Sequence, residues 1–314
     1  MGQEIEKIIY DGDPGHDDIM AIIMAAGNPT IDLLGVTTVA GNSTLANSTK
    51  NALMVMDLMN HDAPVIPGCD RPLIKDFFPA PMVHGLSGLD GVEPFEPNRQ
   101  ASHGHASDFI IHTVMESNDD INIVTAGPMT NLALAMIREP KIVDKIKRIV
   151  FMGGGRHGNI TGAAEFNIWA DAEAAKVVIE SSVPKVMCGL DLTTQARATG
   201  DIFAEFKKID SDLGRFVYDF MLFYAKSPTA RGESGPAVHD ACCIAYLIDN
   251  EVFTTEDYRV EVETKGEYTY GMTVIDVHRM NIWEEQKKPN VRVALKLDFD
   301  RFWEIMLSSL RSFS

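Results

Sequence analysis

The run Ile8-Ile9-Tyr10-Asp11-Gly12-Asp13-Pro14-Gly15-His16-Asp17-Asp18-Ile19-Met20-Ala21-Ile22-Ile23 passes from a short apolar stretch through a Pro-Gly turn into an apolar, helix-compatible stretch. That order predicts a strand, a tight turn and a helix. It also places four carboxylates within residues 11–18. At a strand end they would converge on one crevice, where mutual repulsion and desolvation call for a counter-ion. Oxygen-only donors select a hard cation, Ca²⁺ or Mg²⁺. Helix capping alone would explain Asp17 and Asp18, because the dipole favours negative charge there, but it leaves Asp11 and Asp13 unaccounted for. The spacing is neither that of an EF-hand nor that of a Walker A loop.

Outward from this stretch, short apolar runs alternate with helical patterns. Residues 8–10 lead to a helix from about 17, 33–39 to a helix over 51–59, 121–125 to one over 132–138, and 149–152 to one over 172–180; a further strand is expected at 186–190. This rhythm predicts an α/β fold, one domain over residues 1–314, with a mainly parallel, Rossmann-like central sheet flanked by helices. Ligands should gather at the carboxyl ends of the strands. Helices follow at 203–209, 216–224 and 241–248. The β-rich stretches 259–263, 270–274 and 291–297 either extend the sheet or form a small second one, and 299–310 reads as a closing helix. Residues 67–97, with their Pro and Gly, are long for a plain connection and suit a functional loop or lid.

At 314 residues and 45% hydrophobic content the chain can bury a large core. A net charge of −17 excludes a phosphate-backbone partner, since nucleic-acid binding needs clustered Lys and Arg, but leaves small neutral ligands open. Cys69, Cys188, Cys242 and Cys243 show neither metal-ligand spacing nor a disulfide framework, so buried thiols in a reducing, cytoplasmic setting are expected. No window approaches the roughly 18 continuous apolar residues of a membrane helix, so no membrane partner is expected.

Polar clusters recur where strands should end: Gly41-Asn42, Gly127-Pro128-Met129-Thr130-Asn131 and Met152-Gly153-Gly154-Gly155. Each alone is ordinary turn chemistry; their recurrence at one sheet edge is what points to a site. Glu165-Phe166-Asn167 offers acid and amide groups suited to a polyhydroxylated ligand, and Val238-His239-Asp240 opens an apolar helix with an acid or base beside a further possible metal ligand. His84, inside the long loop, is the other candidate proton donor. His61, His103, His105, His112, His157 and His278 have no comparable context and read as structural or exposed.

Taken in order, Asp11-Gly12-Asp13-Pro14-Gly15-His16-Asp17-Asp18, Gly41-Asn42, His84-Gly85, Gly127-Pro128 with Thr130-Asn131, Met152-Gly153-Gly154, Glu165-Phe166-Asn167 and Val238-His239-Asp240 resemble the inosine-uridine-preferring nucleoside hydrolases over effectively the whole chain. The resemblance implies Ca²⁺-dependent hydrolysis of the N-glycosidic bond of ribonucleosides such as uridine or inosine, in nucleoside salvage, by a homo-oligomer, dimer or tetramer. It implies Asp13, Asp18, Asp240 and the Ala126 carbonyl as Ca²⁺ ligands. Asp13 would also be the base for the attacking water, and Asp11 would orient ligands from behind. Asp17, Asn42, Asn159, Glu165 and Asn167 would hold the ribose, with His239 promoting departure of the base and His84 lining that side. One departure stands out: residues 226–235 lack the tyrosines that some relatives place over the base.

Two rivals remain at this level. A haloacid-dehalogenase-type phosphatase also ends its first strand in Asp-x-Asp and binds Mg²⁺, with Asp11 as nucleophile, but Pro14 and the double Asp17-Asp18 fit that pattern poorly. A non-catalytic Ca²⁺-dependent ribose-binding protein would not need both Asp13 and His239.

Overall fold

A computed structural model describes residues 5–93, 95–278 and 288–314, so the expected 1–314 domain and 67–97 loop are seen without residues 1–4, 94 and 279–287. The chain opens with β1 (Glu6–Gly12), α1 (His16–Gly27), β2 (Ile31–Thr38), α2 (Leu45–Leu58) and β3 (Val65–Pro67). The long loop carries only the short α3 (Pro81–His84) before α4 (Ala106–Glu116). Next come β4 (Ile121–Thr125), α5 (Thr130–Arg138), β5 (Arg148–Met152), α6 (Phe166–Ala170), α7 (Ala172–Ile179) and β6 (Lys185–Cys188). A helical stretch follows: α8 (Leu190–Thr193), α9 (Gly200–Phe206), α10 (Asp212–Tyr224), α11 (Lys226–Ala230) and α12 (Ala241–Ile248). Strands β7 (Phe253–Tyr258), β8 (Val260–Val262), β9 (Thr273–Ile275) and β10 (Val291–Leu297) precede the closing α13 (Phe299–Arg311).

Among the described residues one eight-stranded sheet runs β3-β2-β1-β4-β5-β6-β10-β7, parallel except for the β10–β7 pair. The chain winds one way from β1 to β3 and the other way from β4, so the order reverses between β1 and β4. Such a switch point leaves a crevice beyond the strands' carboxyl ends. Asp11, Asp13 and Ala126 lie there by virtue of register alone, since Asp11 is paired with Thr125 and the Ala126 N–H donates to the Asp11 carbonyl at 2.8 Å.

Helix α1 is apolar nearly all round because it is buried nearly all round, between the sheet and helices α12 and α13. Ile19, Ile22 and Ile23 are fully buried, each side chain contributing roughly 1.5–3 kcal/mol of burial free energy. That packing holds the Asp17 and Asp18 backbone rigid at the crevice. On the opposite face, α4, α5 and α7 cover a second core around Ile123, Leu132, Ile149 and Val178.

Several boundaries differ from the sequence-based expectation. The strand expected over 186–190 stops at Cys188, because Gly189 turns the chain into the short α8. Strand β3 and helix α4 were not anticipated; three residues ending in Pro67 carry too little periodicity to register, and α4 lies in sequence read only as connection. Of the late β-rich stretches, β10 joins the sheet, while β8 and β9 form a separate antiparallel pair.

Candidate active site

Asp13 follows β1 and is wholly buried. Its Oδ2 accepts from the Asn42 N–H, whereas its Oδ1 has no hydrogen-bond partner. Glycine is needed on both sides: a Cβ on Gly41 would lie 2.0 Å from Asp13 Oδ2, and one on Gly127 2.6 Å from Oδ1. The Gly41-Asn42 and Gly127-Pro128 turns therefore pinch one carboxylate between them.

Asp17 and Asp18 sit in the first turn of α1. Asp18 does serve as a cap, accepting from the Gly15 N–H at 3.1 Å, and its other oxygen accepts from the Tyr10 hydroxyl at 2.9 Å. Asp17 is buried with Oδ1 unpartnered. Asp240 occupies the N-cap position of α12, yet its side chain makes no capping bond. It turns instead to the crevice, where one oxygen from each of Asp17, Asp18 and Asp240 lies within 4.8 Å of the others. Asp11 lies behind, its Oδ1 accepting from Thr37 Oγ1 at 2.6 Å and from Asn131 Nδ2 at 2.8 Å, its Oδ2 unpartnered.

Burial and the mutual repulsion of the carboxylates dominate the electrostatics of the cluster. Burial pushes Asp17 up to about 8, with the charge of Asp18 adding to it, and pushes Asp11 up to about 7. Asp18 rises to about 6, burial again dominating over the hydrogen bonds from Gly15 and Tyr10. Asp13 and Asp240 are raised by burial first and by the neighbouring carboxylates second. Left alone, Asp17 would hold its proton at neutral pH and Asp11 would hold it in part. A hard divalent cation would fill the same need, and the donor set is all oxygen. This cluster can bind a metal: three convergent buried carboxylates and unpartnered oxygens on Asp13 and Asp17 fit such an ion. The Ala126 carbonyl is at the same place; it accepts from Asn167 Nδ2 at 3.0 Å and keeps a second lone pair.

A cavity of about 150 Å³ opens beside the cluster. Asp17, Asn42, His84, Ala126, Asn159, Glu165, Asn167, His239 and Asp240 all line it, so nearly every expected site residue is brought together; Asp13 and Asp18 lie just beneath. Glu165 caps α6, accepting from the Asn167, Ile168 and Gly154 N–H groups at 2.9, 3.1 and 2.9 Å. Burial raises its carboxyl to about 6 against the pull of those bonds. Asn167 Nδ2 is tethered to the Ala126 and Met152 carbonyls at the ends of β4 and β5. Asn159 is exposed at the rim, where its Oδ1 accepts from the Phe166 N–H at 2.9 Å.

On the other wall, His239 is half-buried with Nδ1 2.8 Å from Thr193 Oγ1. Burial lowers its pKa to about 4, the Arg197 charge adding to the effect and Glu233 opposing it. His84 is buried and lowered well below the usual histidine range by desolvation, then by His16 and His239. Tyr224, which carried no sequence signal beyond its place in a helix, also lines this wall. The absence of tyrosines from 226–235 thus does not leave the wall without one, because Tyr224 at the end of α10 stacks on His16 with ring centroids 4.9 Å apart. A larger cavity of about 490 Å³ adjoins it, sharing Val83, Asn159, Tyr224 and His239 and adding Arg197, Arg231 and Glu233.

The sequence model of the family described as inosine-uridine preferring nucleoside hydrolase matches residues 8–304. The chain is 44% identical over 310 residues to the inosine-uridine preferring nucleoside hydrolase of Crithidia fasciculata, covering 97% of each chain. It is also 44% identical over 313 residues to the pyrimidine-specific ribonucleoside hydrolase RihB of Escherichia coli, covering 99% of this chain and 98% of that one. Among solved structures, the purine-preferring ribonucleoside hydrolase from Gardnerella vaginalis superposes with a TM-score of 0.91 at 33% identity, covering 98% of this chain and 99% of that one.

Proposed function

The chain belongs to the inosine-uridine preferring nucleoside hydrolase family, and from that premise we propose that it hydrolyses the N-glycosidic bond of ribonucleosides, uridine and inosine among them, to ribose and free base in a Ca²⁺-dependent reaction. The observation that carries this reading is the buried trio Asp17, Asp18 and Asp240 at the floor of a cavity whose walls carry Asn42, Glu165, Asn167 and His239.

Asp13, Asp18, Asp240 and the Ala126 carbonyl would hold the cation, with Asp11 orienting the floor from behind. When bound, Ca²⁺ would supply positive charge that grips vicinal hydroxyls and makes water more acidic. Asp13 is the general base; its unpartnered Oδ1 faces no competing donor, and Asn42 holds the opposite oxygen so that the free one stays oriented. Asp17, Asn42, Asn159, Glu165 and Asn167 bind the ribose hydroxyls and hydroxymethyl group. The surrounding carboxylates favour the positive charge that develops on the sugar as the glycosidic bond breaks.

Departure of the base needs a proton donor. His239 gives that proton as an imidazolium and returns to the neutral ring that burial favours, with Thr193 Oγ1 beside Nδ1 holding Nε2–H toward the leaving base. The base lies against Tyr224, His84 and His239, toward the adjoining cavity. The relatives include a pyrimidine-specific and a purine-preferring enzyme, so the panel that tests activity spans both base classes.

The protein acts as one domain over residues 1–314 and as a homo-oligomer, dimer or tetramer. All four cysteines are free and three are buried, which suits a reducing cytoplasmic setting. A reducing-sugar assay over a ribonucleoside panel, with and without EGTA, tests the proposal. Ribose release abolished by EGTA and restored by Ca²⁺ is expected; phosphate release from phosphomonoesters with no ribose from any nucleoside would overturn it.

A further inference from the structure

His16 lies inside the acidic motif, is wholly buried and takes no part in the chemistry above. Its Nε2 lies 2.9 Å from the Asp90 carbonyl and its Nδ1 lies 3.1 Å from Nδ1 of His84. A carbonyl oxygen can only accept, so the Asp90 contact requires the proton on His16 Nε2. Among the described residues neither ring meets a carboxylate at a nitrogen, so an imidazolium on either ring would be buried without an ion-pair partner, and both rings are neutral. In the neutral pair, His16 Nδ1 is then a bare lone pair. The facing nitrogen must supply the proton, which places it on His84 Nδ1.

The backbone N–H of His16 also points at His84 Nδ1, at 3.4 Å. Were that the operative bond, two bare lone pairs would face each other at 3.1 Å, so the shorter contact governs the tautomer. The surroundings hold both ends of this chain in place. The Asp90 carboxylate accepts from Ser87 Oγ and from the Ser87 and Leu86 N–H groups, which fixes the loop that presents its carbonyl. His16 is clamped in a stack with Phe223 and Tyr224, centroids 5.6 and 4.9 Å away and planes within 8°. Gly15 permits the approach, since a Cβ there would lie 2.6 Å from His84 Nδ1.

We propose that His16 is a positioning residue that relays the Asp90 carbonyl to His84, locking His84 with its proton on Nδ1 and leaving Nε2 as a hydrogen-bond acceptor for an O–H or N–H of the nucleoside. His84 therefore binds substrate by accepting, and proton donation to the leaving base falls to His239 alone. On this assignment His84 takes the lining role that the resemblance implies, and not that of the other candidate proton donor. The use of that acceptor toward a nucleoside rests on the proposed hydrolase reading; the tautomer does not.

The test is ring-¹⁵N NMR of the full-length protein with labelled histidine, combined with steady-state kinetics. In the wild type, His84 should show a protonated Nδ1 and a bare Nε2, and His16 the reverse; an Nε2-protonated His84 overturns the proposal without any variant. His16→Phe keeps the stack but removes the acceptor, and should release the His84 tautomer and raise KM by about 10-fold with a smaller change in kcat. In His16→Asn the amide oxygen can stand where Nδ1 stood, and KM should return to within about 3-fold of the wild type. His16→Phe with the His84 tautomer and KM both unchanged overturns the relay. If no nucleoside were hydrolysed, the function above would fail while the wild-type spectrum still decided the tautomer, and the shift of His84 Nε2 on adding ribose would report its use as an acceptor.

Discussion

Gly127 and Asp13 stand so close that a Cβ on the glycine would lie 2.6 Å from the Asp13 Oδ1 and 3.0 Å from its backbone nitrogen. Strands β1 and β4 are neighbours, and their carboxyl ends deliver the carboxylate and the glycine to one point. Replacing Gly127 with Ala must displace the Asp13 carboxylate or its backbone. We expect Gly127→Ala to cost about 1–3 kcal/mol in stability, as overpacking typically does, and to weaken Ca²⁺ binding measured by calorimetry. Unchanged metal affinity with a normal melting temperature would show that the pinch does not orient Asp13.

For Asp13 itself, Asp13→Ala should abolish ribose release from uridine and inosine, a loss of about 10²–10⁴-fold or more for a general base, while far-ultraviolet circular dichroism stays native. Turnover close to wild type would remove Asp13 from the role of base.

His239→Ala should lower turnover on natural nucleosides by about 10²–10⁴-fold and affect p-nitrophenyl riboside little, because that leaving group departs without a proton. Equal losses on the two substrates would refute leaving-group protonation. Thr193→Val removes the hydroxyl 2.8 Å from His239 Nδ1 and should reproduce the same selectivity more weakly.

The carboxylate cluster sets a pH dependence of stability with a definite sign. Asp18, Asp11 and Asp17 are raised to about 6, 7 and 8 in the folded protein, above the ordinary carboxylate value of 3.8. The native state then binds more protons than the unfolded state between these limits, so stability of the chelated protein falls as pH rises from about 4 to 8. On the proposed reading, bound Ca²⁺ would replace those protons. The rise in melting temperature on adding Ca²⁺ after EGTA should be larger at pH 8 than at pH 5, and a rise independent of pH would contradict this account.

On the proposed reading the site is built to bind hydroxyls and therefore selects ribose. 2′-Deoxyuridine should be turned over at least about 10²-fold less efficiently than uridine, because groups left unpaired in a buried site carry a desolvation cost. Comparable kcat/KM values for the two would indicate that the 2′-hydroxyl is not held.

Much of this molecule was legible in the sequence, for a physical reason. Residues 8–23 carry a strand, a turn and a buried helix in their local pattern, and four carboxylates crowded there point to a cation because burying them charged and unpaired is costly. The alternation of apolar runs and helices gives the parallel sheet, and with it the edge at which Asn42, Ala126, Glu165 and Asp240 meet. Resemblance across the ordered motifs pointed to the family. Relationships that depend on distance through space leave no periodic trace in the chain and emerge only once it is folded. Tyr224 reads as one more core position of α10 until the packing of α10 against α1 carries it to the cavity wall. Asp240 reads equally well as a helix cap until its side chain is seen to make no capping bond. His16 and His84 are 68 residues apart, and the direction of the hydrogen bond between them depends on a carbonyl at Asp90 that no side-chain pattern encodes.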